Sequence, residues 1–176
     1  MDKFFEKQLS TQIVFKGKIF DIKHDEIELS NGAHSFRDVI LHPGGVVVVA
    51  IKEDKILLVK QYRYAVSQAM YELPAGKLEY GEDPLEAAKR ELHEETGYTA
   101  QNWESLGFIH TSAGICNEKL YLFKAQIDDF IGQKPDENEI IEYFEFDKNK
   151  VFDMIKNGEI NDAKTICGLM RAFKLW

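Results

Sequence analysis

The order of apolar and polar residues predicts strands in the first third of the chain. Over residues 13–41, short runs of roughly alternating character are broken by Asn31-Gly32, a dipeptide that favours the tight turn between paired strands. Residues 46–51 form an unbroken apolar run, which is typical of a strand buried on both faces. Residues 55–61 supply its partner across the Glu53-Asp54 turn. We therefore expect a β meander followed by two central strands.

The second half of the chain contains both strand and helix patterns. Residues 119–125 and 140–146 have β character, and apolar residues alternate along the second of these segments. Residues 149–157 carry apolar residues at helical spacing, and Asp162 can cap a last helix. The pattern therefore predicts strands and then helices in this half.

A further helix is predicted over residues 84–97. Asp83 can act as its N-cap, Pro84 suits the first helical position, and Glu86 can bond back to the cap. Gly97 ends the helix naturally, because glycine accepts the left-handed conformation. Three apolar residues at helical spacing are expected to face the sheet. They are Leu85, Ala88 and Leu92.

Three glutamates share another face of this helix. Glu91, Glu94 and Glu95 lie at positions i, i+3 and i+4, where like charges destabilise a helix. They also lie near the helix C-terminus, where the helix dipole disfavours anions. Ala87, one turn earlier, is expected to leave this face open to a hard divalent cation. Magnesium or manganese would turn the repulsion into ligation.

Arg90 is expected to orient these carboxylates, because it can reach Glu86 and Glu94 at i−4 and i+4. A solvated acidic face is the commoner explanation of three glutamates on an arbitrary helix. The wider spacing of residues decides between the two interpretations. Nine positions follow the order Gly, five residues, Glu, seven residues, Arg-Glu-apolar, one residue, Glu-Glu, one residue, Gly-apolar. They are Gly76, Glu82, Arg90, Glu91, Leu92, Glu94, Glu95, Gly97 and Tyr98.

This spacing matches the Nudix box at every position, and the chain therefore resembles the Nudix hydrolases. The resemblance implies an α/β Nudix fold, a mixed sheet flanked by helices, and hydrolysis of a nucleoside diphosphate linked to another group. Residues 60–63, 72–79 and 162–165 and the N-terminal β region also resemble the ADP-ribose pyrophosphatase branch. That branch converts ADP-ribose to AMP and ribose 5-phosphate, and its two subunits exchange N-terminal segments.

The resemblance also implies roles for individual residues. Expected metal ligands are the carbonyl of Ala75 and the carboxylates of Glu91, Glu94 and Glu95. Substrate contacts are expected from Arg37, Arg63 and Phe20, although an aromatic residue in a strand is more often part of a core. Catalytic roles are expected for Glu118, Glu94 and Arg90.

The loop formed by residues 111–118 resembles the segment that carries the catalytic base, with Glu118 as its carboxylate. The alternative is an ordinary exposed glutamate. Many ADP-ribose enzymes have a proline sixteen residues after the last glycine of the box, where this chain has Ala113. That difference keeps GDP-mannose and ADP-glucose open as substrates. For His42, His93 and His110 we expect solvated or structural hydrogen-bonding roles.

Length and charge narrow the remaining possibilities. The 176 residues predict one domain. The resemblance implies that residues 1–42 serve dimerisation and substrate contact and that residues 43–176 form the Nudix core. A net charge of −8 without a basic run argues against nucleic acid as a partner. No apolar run is long enough for a membrane span, and Cys116 and Cys167 are expected to be reduced thiols without a chemical role. We therefore expect a cytoplasmic protein, and the N-terminal meander together with the resemblance implies a homodimer.

Two rival functions come from other classes of protein. A catalytically silent domain that senses a nucleotide is disfavoured by the complete set of box glutamates and by Arg90. A calcium-binding structural protein is excluded because the acidic residues lie on a helix face and not at alternating loop positions.

Overall fold

The computed structural model describes residues 2–135 and 139–175, which divide into two units. The first unit extends to Gly44 and includes His110–Lys119. The second contains Gly45–Ile109 and the chain from Leu120 onward. In the described part of the chain, no helix has the length and apolar character required to cross a bilayer.

The first unit is built on a three-stranded antiparallel meander. Its strands are β1 (Lys7–Lys16), β2 (Asp21–Glu28) and β3 (His34–Leu41), paired in the order β1-β2-β3. Asn31-Gly32 lies in the turn between β2 and β3, and Gly32 has the positive φ of 83° that the dipeptide predicts. The predicted meander is confirmed, and it begins six residues earlier than the alternating pattern suggested.

The second unit contains a mixed sheet of seven strands. They are β4 (Gly45–Lys52), β5 (Lys55–Arg63), β6 (Gln68–Glu72), β7 (Ala75–Lys77), β8 (Tyr98–His110), β9 (Lys119–Phe130) and β10 (Ile141–Asp147). The central order is β10-β5-β4-β9-β8, with β6 paired to β5 and β7 paired to β4. Strands β4 and β9 are parallel, whereas β5 is antiparallel to β4 and to β10. The mixed sheet expected from the sequence is confirmed.

Helices cover both faces of this sheet. They are α1 (Pro84–Thr96), α2 (Lys148–Lys156) and α3 (Ala163–Phe173). Val47 and Val49 of β4 pack with residues of α2 and α3, while Val46 and Val48 pack with residues of α1. All four valines are fully buried, so the prediction of a strand with two buried faces is confirmed.

Helix α1 begins and ends where its sequence predicts, with two local differences. The Asp83 side chain accepts the N–H groups of Leu85 and Glu86, and Gly97 closes the helix at φ 78°. Glu86 does not return to the cap as predicted, because its carboxylate accepts a bond from Lys89 at 2.7 Å. Ala87 does not open the acidic face to solvent, because it is fully buried in the core.

Candidate active site

Arg90 gathers the acidic residues of α1 and of the preceding loop. Its Nε and Nη2 donate to the two oxygens of Glu82 at 2.9 and 3.0 Å. Its Nη1 donates to Glu91 at 2.7 Å and to Glu94 at 3.0 Å. The predicted orienting role of Arg90 is consistent with these bonds, but the predicted pairing with Glu86 is wrong. Glu82 takes that place because its carboxylate, in the folded loop, binds the Nε and Nη2 edge of the guanidinium in a bidentate pair.

Glu95 is the most enclosed of the three helix glutamates. Its side chain is 4% exposed, and Oε2 accepts the backbone N–H of Ala75 at 2.9 Å. Burial, together with the charges of Glu91 and Glu139, raises the pKa of Glu95 to about 8. The bond from Ala75 and the charge of Arg63 act in the opposite direction without compensating fully. An additional positive charge near Glu95 would favour its ionised form near neutral pH.

Glu91 lies directly against strand β7. A Cβ placed on Gly76 would lie 1.9 Å from the carboxyl carbon of Glu91, so any other residue at this first position of the box would displace the Glu91 carboxylate. Burial is the main influence that raises the pKa of Glu91, and Glu94 and Glu139 add to it, while Arg90 lowers it. The contact brings the acidic face of α1 onto the strand that contains Ala75.

The chemistry of this face fits a hard divalent cation. Glu91 and Glu95 present oxygen donors in a buried position where burial and neighbouring negative charge oppose ionisation. Over residues 2–135 and 139–175, no three acidic, histidine or cysteine side chains already form a metal-binding group. Arg90 holds Glu91 and Glu94, and Ala75 holds Glu95. Bound water would therefore complete the coordination of a magnesium-sized ion.

Arg63, at the end of β5, is part of a buried ionic network. Its Nε and Nη2 donate to the two oxygens of Glu72 at 2.7 and 2.6 Å, and Lys164 of α3 also bonds to Glu72. Burial pushes the pKa of Glu72 upward, but the bonds from Arg63 and Lys164 outweigh burial and hold it below its ordinary value. Since Arg63 also lowers the pKa of Glu95, its charge acts at the acidic face.

Arg37 and Phe20 belong to the first unit. The Arg37 guanidinium donates to Glu6 at 3.0 and 2.5 Å and to the hydroxyl of Ser35 at 3.2 Å. Phe20 precedes β2 and is 38% exposed, so it is not a core residue. These observations leave both residues as candidate substrate contacts.

Glu118, the predicted base, also lies in the first unit and is held by the side chain of Thr111. The hydroxyl of Thr111 donates to one carboxylate oxygen at 2.6 Å, and His42 Nδ1 lies 3.2 Å from the other. His42 Nδ1 also lies 3.1 Å from the donating N–H of Gly44, which agrees with the structural role predicted for this histidine. Glu118 is therefore an oriented carboxylate and not a free loop residue.

Several residues of the site were not assigned by the sequence analysis. Glu139 raises the pKa of both Glu91 and Glu95, and no motif singled it out. Glu82 had a position in the box but no predicted role. Glu72 and Lys164 were noted only within segments that match the family, and their shared ion pair joins residues 92 positions apart.

Comparison with known proteins supports the interpretation of this geometry. The model of the NUDIX domain matches residues 41–169. The chain belongs to the Nudix family. An ADP-ribose pyrophosphatase of Bacillus subtilis (strain 168) is 38% identical over 94% of this chain and 91% of its own length. A methanol dehydrogenase activator of Bacillus methanolicus is 39% identical over 94% of this chain and 92% of its own.

A solved structure of an ADP compounds hydrolase shows the same fold. It superposes with a TM-score of 0.86 over 97% of this chain and 93% of its own, at 22% identity. The predicted Nudix fold and the assignment as a pyrophosphohydrolase are therefore confirmed. Nudix hydrolases generally use divalent metals, and α1 is the Nudix helix of this protein.

Proposed function

We propose that this Nudix hydrolase cleaves the diphosphate of ADP-ribose to AMP and ribose 5-phosphate in the cytoplasm, with Mg²⁺ as its metal and Mn²⁺ as a substitute. The observation that carries the proposal is the neighbouring pair Glu91 and Glu95 on α1, where burial raises the pKa of both carboxyl groups. The substrate is taken from the ADP-ribose pyrophosphatase of Bacillus subtilis, which is similar over nearly its whole length.

The reaction adds water across one phosphoanhydride bond. Glu91, Glu94, Glu95 and the carbonyl of Ala75 would hold the metal, which screens the diphosphate and favours deprotonation of bound water. Arg63 and Arg37 would neutralise phosphate oxygens, and Phe20 would stack on the adenine. The water oxygen forms a bond to one phosphorus, the bridging bond breaks, and the leaving phosphate receives the electron pair.

Glu118 is the proposed base that removes the proton from the attacking water. The bond from the Thr111 hydroxyl supports this role, because it restricts the rotation of the carboxylate. The charge of Glu139 at Glu91 and Glu95 makes it the second candidate. Base catalysis typically contributes about a hundredfold to ten-thousandfold in rate.

Matched variants distinguish the two candidates. Glu118→Gln should lower kcat by about a hundredfold or more, because the glutamine amide cannot accept the proton of the attacking water. Glu139→Gln should lower kcat much less, because Glu139 is not the proposed base. Stopped reactions with product separation would measure both variants in parallel. A normal kcat for Glu118→Gln with a collapsed kcat for Glu139→Gln would transfer the role to Glu139.

We also propose that the active form is a homodimer with exchanged N-terminal segments. Every residue of β1 is exposed, although this strand carries several large apolar side chains. They are Leu9, Ile13, Val14 and Phe15. An exposed apolar strand at the edge of a sheet invites pairing with another chain, and a second copy would cover it.

A substrate panel tests the proposed activity. Turnover of ADP-ribose, ADP-glucose and GDP-mannose would be compared with Mg²⁺, with Mn²⁺ and with excess chelator, and the products would be identified. We expect the highest kcat/KM for ADP-ribose and no turnover in chelator. A preference for GDP-mannose would overturn the substrate, and full activity in chelator would overturn the metal role.

The regulatory alternative has one specific observation in its favour, the similarity to a relative named as a methanol dehydrogenase activator. A silent sensor would bind a nucleotide without turnover. The structure instead supports catalysis, because the acidic residues of the box are intact and close together. Arg90 bonds to Glu91 and Glu94, and the charge of Glu91 acts on Glu95. Binding without hydrolysis of any panel compound would favour the sensor.

A further inference from the structure

The first turn of α3 holds the end of strand β6 through a lysine. The ammonium group of Lys164 bonds to Glu72, and it lies 3.0 Å from Oδ2 of Asp162, the N-cap of α3. Only 16% of the Lys164 side chain is exposed, which is unusual for lysine. The carboxylates of Glu72 and Asp162 provide the partners that such burial requires.

Lys164 and Arg63 share one oxygen of Glu72. Oε2 accepts Nη2 of Arg63 at 2.6 Å and also the ammonium group of Lys164, while Oε1 accepts Nε of Arg63. A bidentate pair makes the guanidinium coplanar with the carboxylate. The orientation of the Glu72 carboxylate therefore sets that of Arg63, and Lys164 is the second group that restricts this carboxylate.

The backbone beside Glu72 is fixed without Lys164. The Leu73 N–H donates to the hydroxyl of Thr165 at 2.9 Å, and the Pro74 carbonyl accepts the Val48 N–H at 2.9 Å. Asp162 caps α3 through the N–H of Thr165, also at 2.9 Å. Because these bonds already join α3, β6 and β4, the lysine acts chiefly on the side chain of Glu72.

We propose that Lys164 is a positioning residue for the substrate, acting through Glu72 to hold Arg63 in the orientation that binds the diphosphate. The inference rests on the proposed function only in its assumption that Arg63 contacts substrate phosphate. Lys164 itself need not touch the substrate. Its loss should therefore weaken substrate binding without removing the chemistry performed at α1.

The first experiment replaces Lys164 in the full chain. Lys164→Met should raise KM for ADP-ribose by about tenfold, because small misplacements of a binding group are costly. The Kd for the nonhydrolysable α,β-methylene analogue of ADP-ribose should rise by about the same factor, while kcat should change less. Lys164→Arg should restore much of the affinity. Lys164→Gln is held to the same expectation if Lys164→Met does not fold. Normal KM and Kd in a folded variant would overturn the proposal.

Lys52 offers a matched control in the same unit. Its ammonium group bonds to Glu145 at 2.8 Å and to the hydroxyl of Tyr98 at 3.1 Å, and neither partner contacts Arg63 in the network described above. Lys52→Met should lower Tm but leave KM and Kd unchanged. An equal rise in KM from Lys52→Met would show that Lys164 acts only through general stability.

A double-mutant cycle tests the route through Arg63. In the Arg63→Ala background, Lys164→Met should cause no further rise in Kd, because the residue through which it acts is gone. Independent effects that multiply would show that Lys164 acts directly or elsewhere, which would overturn the proposal. If the substrate panel favours another nucleoside diphosphate sugar, the cycle is measured with that compound. Failure of the ADP-ribose assignment is thereby separated from failure of the positioning role.

Discussion

Glu72 and Glu95 are both almost fully buried, yet their surroundings have opposite effects on their negative charge. Two cationic side chains bond to Glu72 and lower its pKa. Glu95 accepts one backbone N–H and lies near other carboxylates, so its pKa is raised to about 8. The protein itself neutralises the first glutamate, whereas under the proposed function a metal ion would neutralise the second.

Replacing Glu95 should separate activity from stability. Glu95→Gln should reduce kcat/KM by about a hundredfold or more, because a metal ligand loses its charge. The metal-free protein should melt at an equal or higher temperature, since the amide oxygen can still accept the Ala75 N–H and no charge is buried. Assays with Mg²⁺ and melting curves in chelator measure the two effects. Equal activity would contradict metal ligation by Glu95.

Glu72 should contribute to stability in a pH-dependent way. Its pKa is lower in the folded protein than its ordinary value of 4.5, so its contribution is present above pH 4.5 and is lost as the pH falls through the lower folded value. Glu72→Gln should reduce stability at pH 7 and flatten this acid dependence. Denaturant unfolding across the acid range provides the measurement. An unchanged acid slope in Glu72→Gln would contradict this linkage.

At the scale of elements, the approach of β7 to α1 determines the position of Glu91. The closest point is Gly76, where any side chain would overlap the Glu91 carboxyl group. The strand is only three residues long and pairs with β4, so it has little freedom to move away. The glycine of the box is thus a packing requirement between two elements.

Gly76→Ala should therefore disturb both packing and activity. The added methyl group forces the Glu91 carboxylate to move away from β7 and from the position in which it accepts the bond from Arg90. We expect a lower Tm and at least about a tenfold loss of kcat/KM, in line with misplaced catalytic groups. Gly114→Ala is the control for melting, because a Cβ at Gly114 meets nothing within 4 Å. A stable, fully active Gly76→Ala would contradict the close approach.

At the scale of the whole molecule, association of two copies of the chain is expected to depend on the exposed strand β1. Ile13→Lys places a charge on the exposed apolar side of β1, so it should shift a homodimer toward monomer and lower activity at equal protein concentration. Light scattering at micromolar concentration, with parallel assays, measures both effects. Ile131→Lys is the control, because Ile131 is also an exposed isoleucine but lies outside β1. A fully active wild-type monomer would contradict the proposal.

The sequence by itself determined the bounds of α1 and its acidic face, whereas strands β6, β7 and β8 were not predicted. Helical spacing places Glu91, Glu94 and Glu95 on one side whatever the rest of the chain does, because the helix period is local. Capping by Asp83 and closure by Gly97 are also local, and both were predicted correctly. The same holds for the buried strand β4, whose apolar run specifies two covered faces.

Only the tertiary structure decided which charges meet. The local rule paired Arg90 with Glu86, but the folded loop brings Glu82 to Arg90 and leaves Glu86 with Lys89. Likewise, the ion pair between Glu72 and Lys164 depends on α3 packing beside β6. Spacing along the chain defines neighbours within one helix, whereas burial and ion pairs between distant segments arise from packing, which no local pattern specifies.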